Sequence, residues 1–195
     1  MKIETAEFAR ASAKPEDLID DGTPQVAFVG RSNVGKSSLL NRLAGQTIAR
    51  TSSTPGRTRT VNWFRIDRRW WLVDLPGYGF AKASKTDRKA WGEVVDAYLA
   101  NSSGRLLVVQ LVDAKVGATE LDVGAAEWLR SLDRPAVVVA TKVDRLKRGE
   151  RARALERIRR ALGLDHEADL LAVSADTGEG VRELWQRIEE FLAAG

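Results

Sequence analysis

A glycine-rich octapeptide, Gly30-Arg31-Ser32-Asn33-Val34-Gly35-Lys36-Ser37, constrains this chain more than any other stretch. It reads glycine, four residues, then Gly-Lys-Ser, the spacing of a loop that wraps phosphate. The two glycines let the backbone curl, so that successive N–H groups aim inward at phosphate oxygens. Lys36 adds a point charge for the β and γ phosphates, and Ser37 offers a hydroxyl to Mg²⁺. Four such fixed positions coincide by chance in about one chain per hundred of this size. The flanks sharpen the reading. Gln25-Val26-Ala27-Phe28-Val29 is a short apolar, β-rich run, and Ser38-Leu39-Leu40-Asn41-Arg42-Leu43 reads as helix. Strand, glycine loop and helix form the setting in which this pattern is informative. A nucleotide-binding α/β fold is expected.

At 195 residues, 44% hydrophobic and 30% charged, the chain suits a globular domain with a full core. It has no cysteine, which excludes disulfides and thiolate metal sites. The opening Met1-Lys2-Ile3-Glu4 leads into mixed polar sequence, and no apolar run is long enough to span a bilayer. A cytoplasmic protein without membrane contact is the expectation. The net charge of +4 permits an anionic partner such as RNA without demanding one.

Residues 1–24 carry little periodic signal, although Phe8 and Leu18-Ile19 could cover a sheet edge. A long polar loop spans 46–60, a length that usually marks function or disorder. Val61 to Ile66 and Trp70 to Leu75 read as a hairpin turned by Asp67-Arg68-Arg69. Apolar stripes predict helices over Thr86–Leu99, around Leu121–Leu132, over Gly149–Leu162 and from Val181 to Leu192. Near-continuous apolar runs at Leu106–Val112, Ala136–Ala140 and Leu170–Val173 predict buried parallel strands. Alternation of this kind makes a mostly parallel sheet with helices on both faces.

Ligands of such sheets sit beyond the carboxyl ends of the strands, and the informative loops fall there. Asp74-Leu75-Pro76-Gly77 places a carboxylate for water-mediated contact with Mg²⁺ and an amide for a γ-phosphate. Thr141-Lys142-Val143-Asp144 offers a carboxylate that could accept from N1–H and the 2-amino group of guanine, with the Lys142 stem over the ring. Adenine lacks both donors, and an unpaired buried carboxylate costs about 1–3 kcal/mol or more. Val173-Ser174-Ala175 supplies a small-residue loop whose N–H could reach guanine O6.

With these loops in this order, the sequence resembles the EngB (YihA/YsxC) family of bacterial ribosome-assembly GTPases, within the translation-factor class. The resemblance is carried by Gly30 to Ser38, Thr54-Pro55-Gly56-Arg57-Thr58 and Asp74-Leu75-Pro76-Gly77-Tyr78-Gly79, and it runs through nearly the whole chain. It implies a single P-loop GTPase domain with a six-stranded, mostly parallel sheet, one strand antiparallel. Residues 25–195 would form that domain and 1–24 an N-terminal extension packed on it. The resemblance further implies GTP hydrolysis during large-subunit assembly, with rRNA and ribosomal proteins as partners and a link to cell division and septation. DNA is not expected as a partner, and a monomer is.

Gly56-Arg57-Thr58-Arg59-Thr60, in the long loop 46–60, is expected to contact the nucleotide, and Thr54, Thr58 and Thr60 of that loop all compete for Mg²⁺. The resemblance favours Thr58, to join Ser37 and Asp74. Catalytic work is assigned to Lys36, Asn33, Thr58 and Gly77. Tyr78 stands where many small GTPases carry a water-orienting glutamine, so slow intrinsic turnover is expected. Some related GTPases use an asparagine at the position of Asn33 to help bind K⁺, which makes a monovalent cation a candidate accelerator, beside a partner or Arg57 and Arg59. Thr141 replaces the commoner asparagine and should tether the phosphate loop only in part. Arg145, Lys147, Arg148, Arg151, Arg153, Arg157, Arg159 and Arg160 crowd one helix and its approach, either for RNA phosphates or as a solvated face. Trp63 and Trp70 are the tryptophans to test as base-stacking platforms. His166 has no assigned role. A P-loop ATPase or small-molecule kinase, and a nucleotide-dependent binding module with incidental hydrolysis, are the competing classes.

Overall fold

The structure is a computed structural model and describes residues 3–49, 60–78, 85–165 and 170–194, with the side chains of 85–91 and 101 outside that description. In chain order the elements are β1 (Ala6–Ser12), β2 (Gln25–Gly30), α1 (Lys36–Ala44), β3 (Val61–Ile66), β4 (Trp70–Asp74), α2 (Lys85–Asn101), β5 (Leu106–Asp113), α3 (Glu120–Ser131), β6 (Ala136–Thr141), α4 (Arg151–Ala161), β7 (Leu170–Ala172) and α5 (Val181–Ala193). They form one seven-stranded sheet in the order β1-β3-β4-β2-β5-β6-β7. Among the described strands only β3 runs against the rest, pairing antiparallel with both β1 and β4.

Every residue of β2, β4 and β5 is buried, as continuous apolar runs require when helices cover both faces. Alternate residues serve opposite cores. Val26, Phe28, Leu72, Leu107 and Val109 pack with α1 and α5 through Leu39, Leu40, Leu184 and Trp185. Ala27, Val29, Val73 and Val108 pack with α2 and α3 through Val94, Leu99 and Leu129. No described helix is long and apolar enough to cross a membrane.

The sheet has one strand more than the six expected, and the addition is β1. Residues 7–11 are exposed, and Phe8 keeps 59% of its surface while lying edge-on against Phe64. An edge strand that buries so little shows no period-two pattern, so it was not legible. Long-range partners hold it instead. The N–H groups of Glu4 and Thr5 donate to the Asp67 carboxylate at 2.9 and 2.7 Å, and the Trp63 indole donates to Ser12 Oγ at 3.1 Å. Asp67 itself sits in the β3–β4 turn, where Asp67 and Arg68 both take positive φ, +47° and +56°. That is the turn geometry whose twist matches a hairpin.

Trp63 and Trp70 prove to be core residues. Trp63 is fully buried and packs edge-on against Trp71 and Tyr98, and Trp70 packs against Trp185. Because the helices cover both faces of the hairpin, neither ring is available to a base.

Candidate nucleotide site

The candidate site lies where β2, β4, β6 and β7 end. β2 stops at Gly30, a position with no room for a side chain: a Cβ there would lie 3.0 Å from the Leu111 carbonyl and 2.9 Å from Val34. Asn33 and Gly35 take φ of +65° and +101°, which turns the chain back before α1 begins at Lys36. The first turn of α1 then presents Lys36, Ser37 and Ser38 with no acidic residue among them. Unpaired N–H groups and the helix dipole together suit an anion at this end.

Lys36 keeps 9% of its surface and Asp74, at the end of β4, keeps 3%; their side chains form a direct ion pair. The following loop is stitched to the phosphate loop. Ser32 N–H donates to Tyr78 O at 3.1 Å and Tyr78 N–H to Gly30 O at 3.2 Å. Gly77 therefore passes so close to its neighbour that a Cβ would sit 3.2 Å from Gly30 O and from Ser32 N. The Tyr78 ring turns away from this junction, and its hydroxyl lies 2.9 Å from Asp122 on α3. Burial, and then the Asp122 charge, push the Tyr78 phenol well above its ordinary pKa. On the far side, Gly77, Tyr78, Val95, Leu121 and Trp128 line an apolar cleft of about 440 Å³ between α2 and α3.

The turn after β6 grips the phosphate loop. Thr141 Oγ1 is 2.7 Å from Val34 O and 3.2 Å from Val112 O. Its hydroxyl has one proton to give, so the tether is a single donated bond. Lys142, at φ +58°, donates to Asn33 O at 2.6 Å and to Asp113 at 2.7 Å. Val143 N–H reaches Val173 O, which ties this turn to the one after β7. Asp144, half-buried, lines a pocket with Gly35, Ser38, Lys142, Val173 and Ala175. Ser174 N–H is given to Glu179 O and its hydroxyl accepts from Thr177 N–H. Of Ser174 and Ala175, Ala175 is the one lining the pocket.

Asp113 and Asp122 were not singled out from the sequence. Asp113 ends the buried run of β5, and a carboxylate at a strand's carboxyl end was the available signal. Burial acts to raise its pKa. The Lys142 hydrogen bond and charge, with the N–H groups of Val116 and Lys115, outweigh that and hold it below the ordinary value of 3.8. The folded value is thus the lower one, so this carboxylate's contribution to stability is complete above 3.8 and is lost as pH falls through the folded value. The melting-temperature gap between wild type and Asp113→Asn should therefore narrow as pH drops from neutral towards about 3. Thermal melts across that range check it; a constant gap would contradict it.

Thr54, Gly56, Arg57, Thr58, Arg59 and His166 lie outside the described residues. Thr60 is described, and its hydroxyl lies 3.0 Å from Asn62 Oδ1.

A family model described as 50S ribosome-binding GTPase matches residues 25–142. Two curated relatives named "Probable GTP-binding protein EngB" come from Heliobacterium modesticaldum and Pelotomaculum thermopropionicum. The first is 43% identical over 192 residues, covering 98% of this chain and 94% of that protein; the second is 47% identical over 193 residues, covering 98% of each. A crystal structure of a probable GTP-binding protein engB superimposes with TM-score 0.70 at 26% identity, over 86% of this chain and 98% of that one. Era in complex with MgGDPNP and nucleotides 1506–1542 of 16S ribosomal RNA also gives TM-score 0.70, at 25% identity, over 89% of this chain and 58% of that one.

Proposed function

The chain belongs to the EngB family of GTP-binding proteins, and from that premise we propose that it hydrolyses GTP to GDP and phosphate and works as a nucleotide-gated factor on precursors of the large ribosomal subunit. The observation that carries this is the double tether between the turn after β6 and the phosphate loop, through Thr141 to Val34 and Lys142 to Asn33. A loop that only held phosphate would gain nothing from that link. A site that reads a base and a triphosphate together needs it, because Asp144 belongs to the same turn.

Phosphoryl transfer to water demands placement and charge neutralisation more than covalent chemistry. Lys36 would exchange Asp74 for β and γ phosphate oxygens. The Gly77 N–H would meet the γ-phosphate, and Asp144 would accept from guanine. Ser37 and Asp74, joined by Thr58 as the resemblance implies, are a hydroxyl and a carboxylate set of hard oxygen donors, which fits Mg²⁺. Held there, the ion would supply positive charge to the phosphates. Tyr78 and Arg31 are both engaged by Asp122, so neither is free to orient the attacking water or to act as an arginine finger. Such devices are worth roughly 10³–10⁵ in rate. Slow intrinsic turnover follows, with acceleration from a partner or from K⁺ near the exposed Asn33 side chain.

The basic surface supports RNA contact. Arg151 is paired with Glu179, and Arg159 and Arg160 with Glu156. Arg145, Lys147, Arg148, Arg153 and Arg157 are exposed and have no ion pair among the described residues. Cations left unneutralised along one helix and its approach suit phosphates.

The test is co-sedimentation with large-subunit precursors in GTP-analogue, GDP and nucleotide-free states, with hydrolysis measured alongside in KCl and NaCl. Binding favoured by the analogue and faster turnover in KCl are expected. Equal binding in all three states would point instead to a binding module with incidental hydrolysis, and equal rates would remove the cation.

A further inference from the structure

Asp122 carries more bonds than its local duty needs. It stands on the first turn of α3, where it forms a capping box with Thr119: Oδ2 accepts from Thr119 N–H at 2.8 Å and from the Thr119 hydroxyl at 2.7 Å. Either interaction alone serves a helix start. Yet the side chain is fully buried, and a buried carboxylate is tolerated only where charge and hydrogen bonds answer it. The answering groups come from elsewhere in the fold. Arg31 Nε approaches Oδ2 at 3.2 Å, and the Tyr78 hydroxyl donates to Oδ1 at 2.9 Å. Gln110, from β5, donates to the Asp122 carbonyl at 2.8 Å and fixes the start of α3 against the sheet.

Arg31 follows Gly30 in the phosphate loop, and Tyr78 follows Gly77 in the loop after β4. Those two loops are already joined by their backbones, Ser32 to Tyr78 and Tyr78 to Gly30. One carboxylate thus holds a side chain from each loop immediately beside the residue that bears on the phosphates. We infer that Asp122 is a positioning residue for the γ-phosphate, holding the residue 77 amide at its station by anchoring Tyr78 and locking that loop to the phosphate loop through Arg31. The inference rests on the reading of Gly77 N–H as the γ-phosphate contact. Its consequence is selective. GDP has no γ-phosphate, so loosening this anchor should weaken GTP binding and leave GDP binding nearly alone.

The variants are Tyr78→Phe, which removes only the anchoring hydroxyl, Asp122→Asn, which keeps an acceptor for Tyr78 but loses the charge beside Arg31 and the acceptor for Thr119 N–H, and the two combined. Affinities for GDP and for a non-hydrolysable GTP analogue are measured by displacement of fluorescent GDP, with a thermal melt on each protein. Each single change is expected to weaken the analogue about five- to tenfold and GDP less than about twofold. The double variant should lose more of the analogue's affinity than either single change, because one removes the Tyr78 contact at Oδ1 and the other the Arg31 contact at Oδ2. Equal weakening of both nucleotides would reduce Asp122 to a structural support and overturn the inference, as would no change in either. If Asp122→Asn fails to fold, Tyr78→Phe decides, since its ring still fills the same space. If the unaltered chain binds neither nucleotide, the proposed function falls and this inference falls with it.

Discussion

Replacing Asp144 by alanine is expected to weaken GTP binding by about 10²–10⁴, because two hydrogen bonds to a charged acceptor are lost at about 1.5–3 kcal/mol each. Binding of ATP should not change. The substitution is clean because the backbone sets this turn: Lys142 takes positive φ and Val143 is bonded to Val173, whatever stands at 144. Asp144→Asn sharpens the test. An amide presents one donor and one acceptor, which matches the N1–H and O2 of xanthine and mismatches the 2-amino group of guanine. Preference should therefore pass from GTP to XTP, with GTP losing and XTP gaining about tenfold or more. Competition of each triphosphate against a fluorescent nucleotide measures both. An Asp144→Ala protein that still prefers GTP would remove the carboxylate from base recognition.

The second large effect is at Lys36. Lys36→Ala takes an ammonium from the triphosphate and at the same time leaves the buried Asp74 carboxylate without its partner. Hydrolysis is expected to fall by about 10²–10³ or more, the size of losing a principal charge on the transferring group. Breaking a buried pair from one side also costs about 3–5 kcal/mol, or roughly 6–20 °C in melting temperature for a chain of this length. The two losses can be separated. Lys36→Met combined with Asp74→Asn removes both charges and keeps the volume, so it should recover most of the melting temperature. Hydrolysis should stay as low as in Lys36→Ala. If the double variant regained activity, the ammonium would not be acting on phosphate.

The parts of the site legible in the sequence are those encoded by short spacing. Gly30, Gly35, Lys36 and Ser37 stand at fixed intervals because a curled backbone and a helix start require them locally. Asp74 could be found because it ends a strand-like run, and Asp144 because it lies in the turn just after one. Asp122 could not. Its role depends on Arg31, Tyr78 and Gln110, three residues up to 91 positions away in sequence, and nothing local distinguishes it from any acidic residue in a helix's first turn. The sheet divides in the same way. β5 and β6 are mostly apolar runs, whereas β1 buries almost nothing and is defined by the register it makes with β3. Trp63 and Trp70, the tryptophans to test as base-stacking platforms, are core for a related reason: alternation along a hairpin covered on both faces buries both rings.

The Thr141 tether makes a similar point at finer scale. A shorter side chain than asparagine was expected to hold the phosphate loop in part, and it does so with one donated bond, while Lys142 supplies the second link from the same turn.

The central claim is that one pocket joins a triphosphate cradle to a guanine-reading carboxylate. Titration of the purified chain, in Mg²⁺ and carrying labelled GDP, with unlabelled GTP and ATP tests it most directly. GTP should displace the label at micromolar concentrations, and ATP should fail at about a hundredfold excess. Equal displacement by the two, or no displacement by either, would contradict the account.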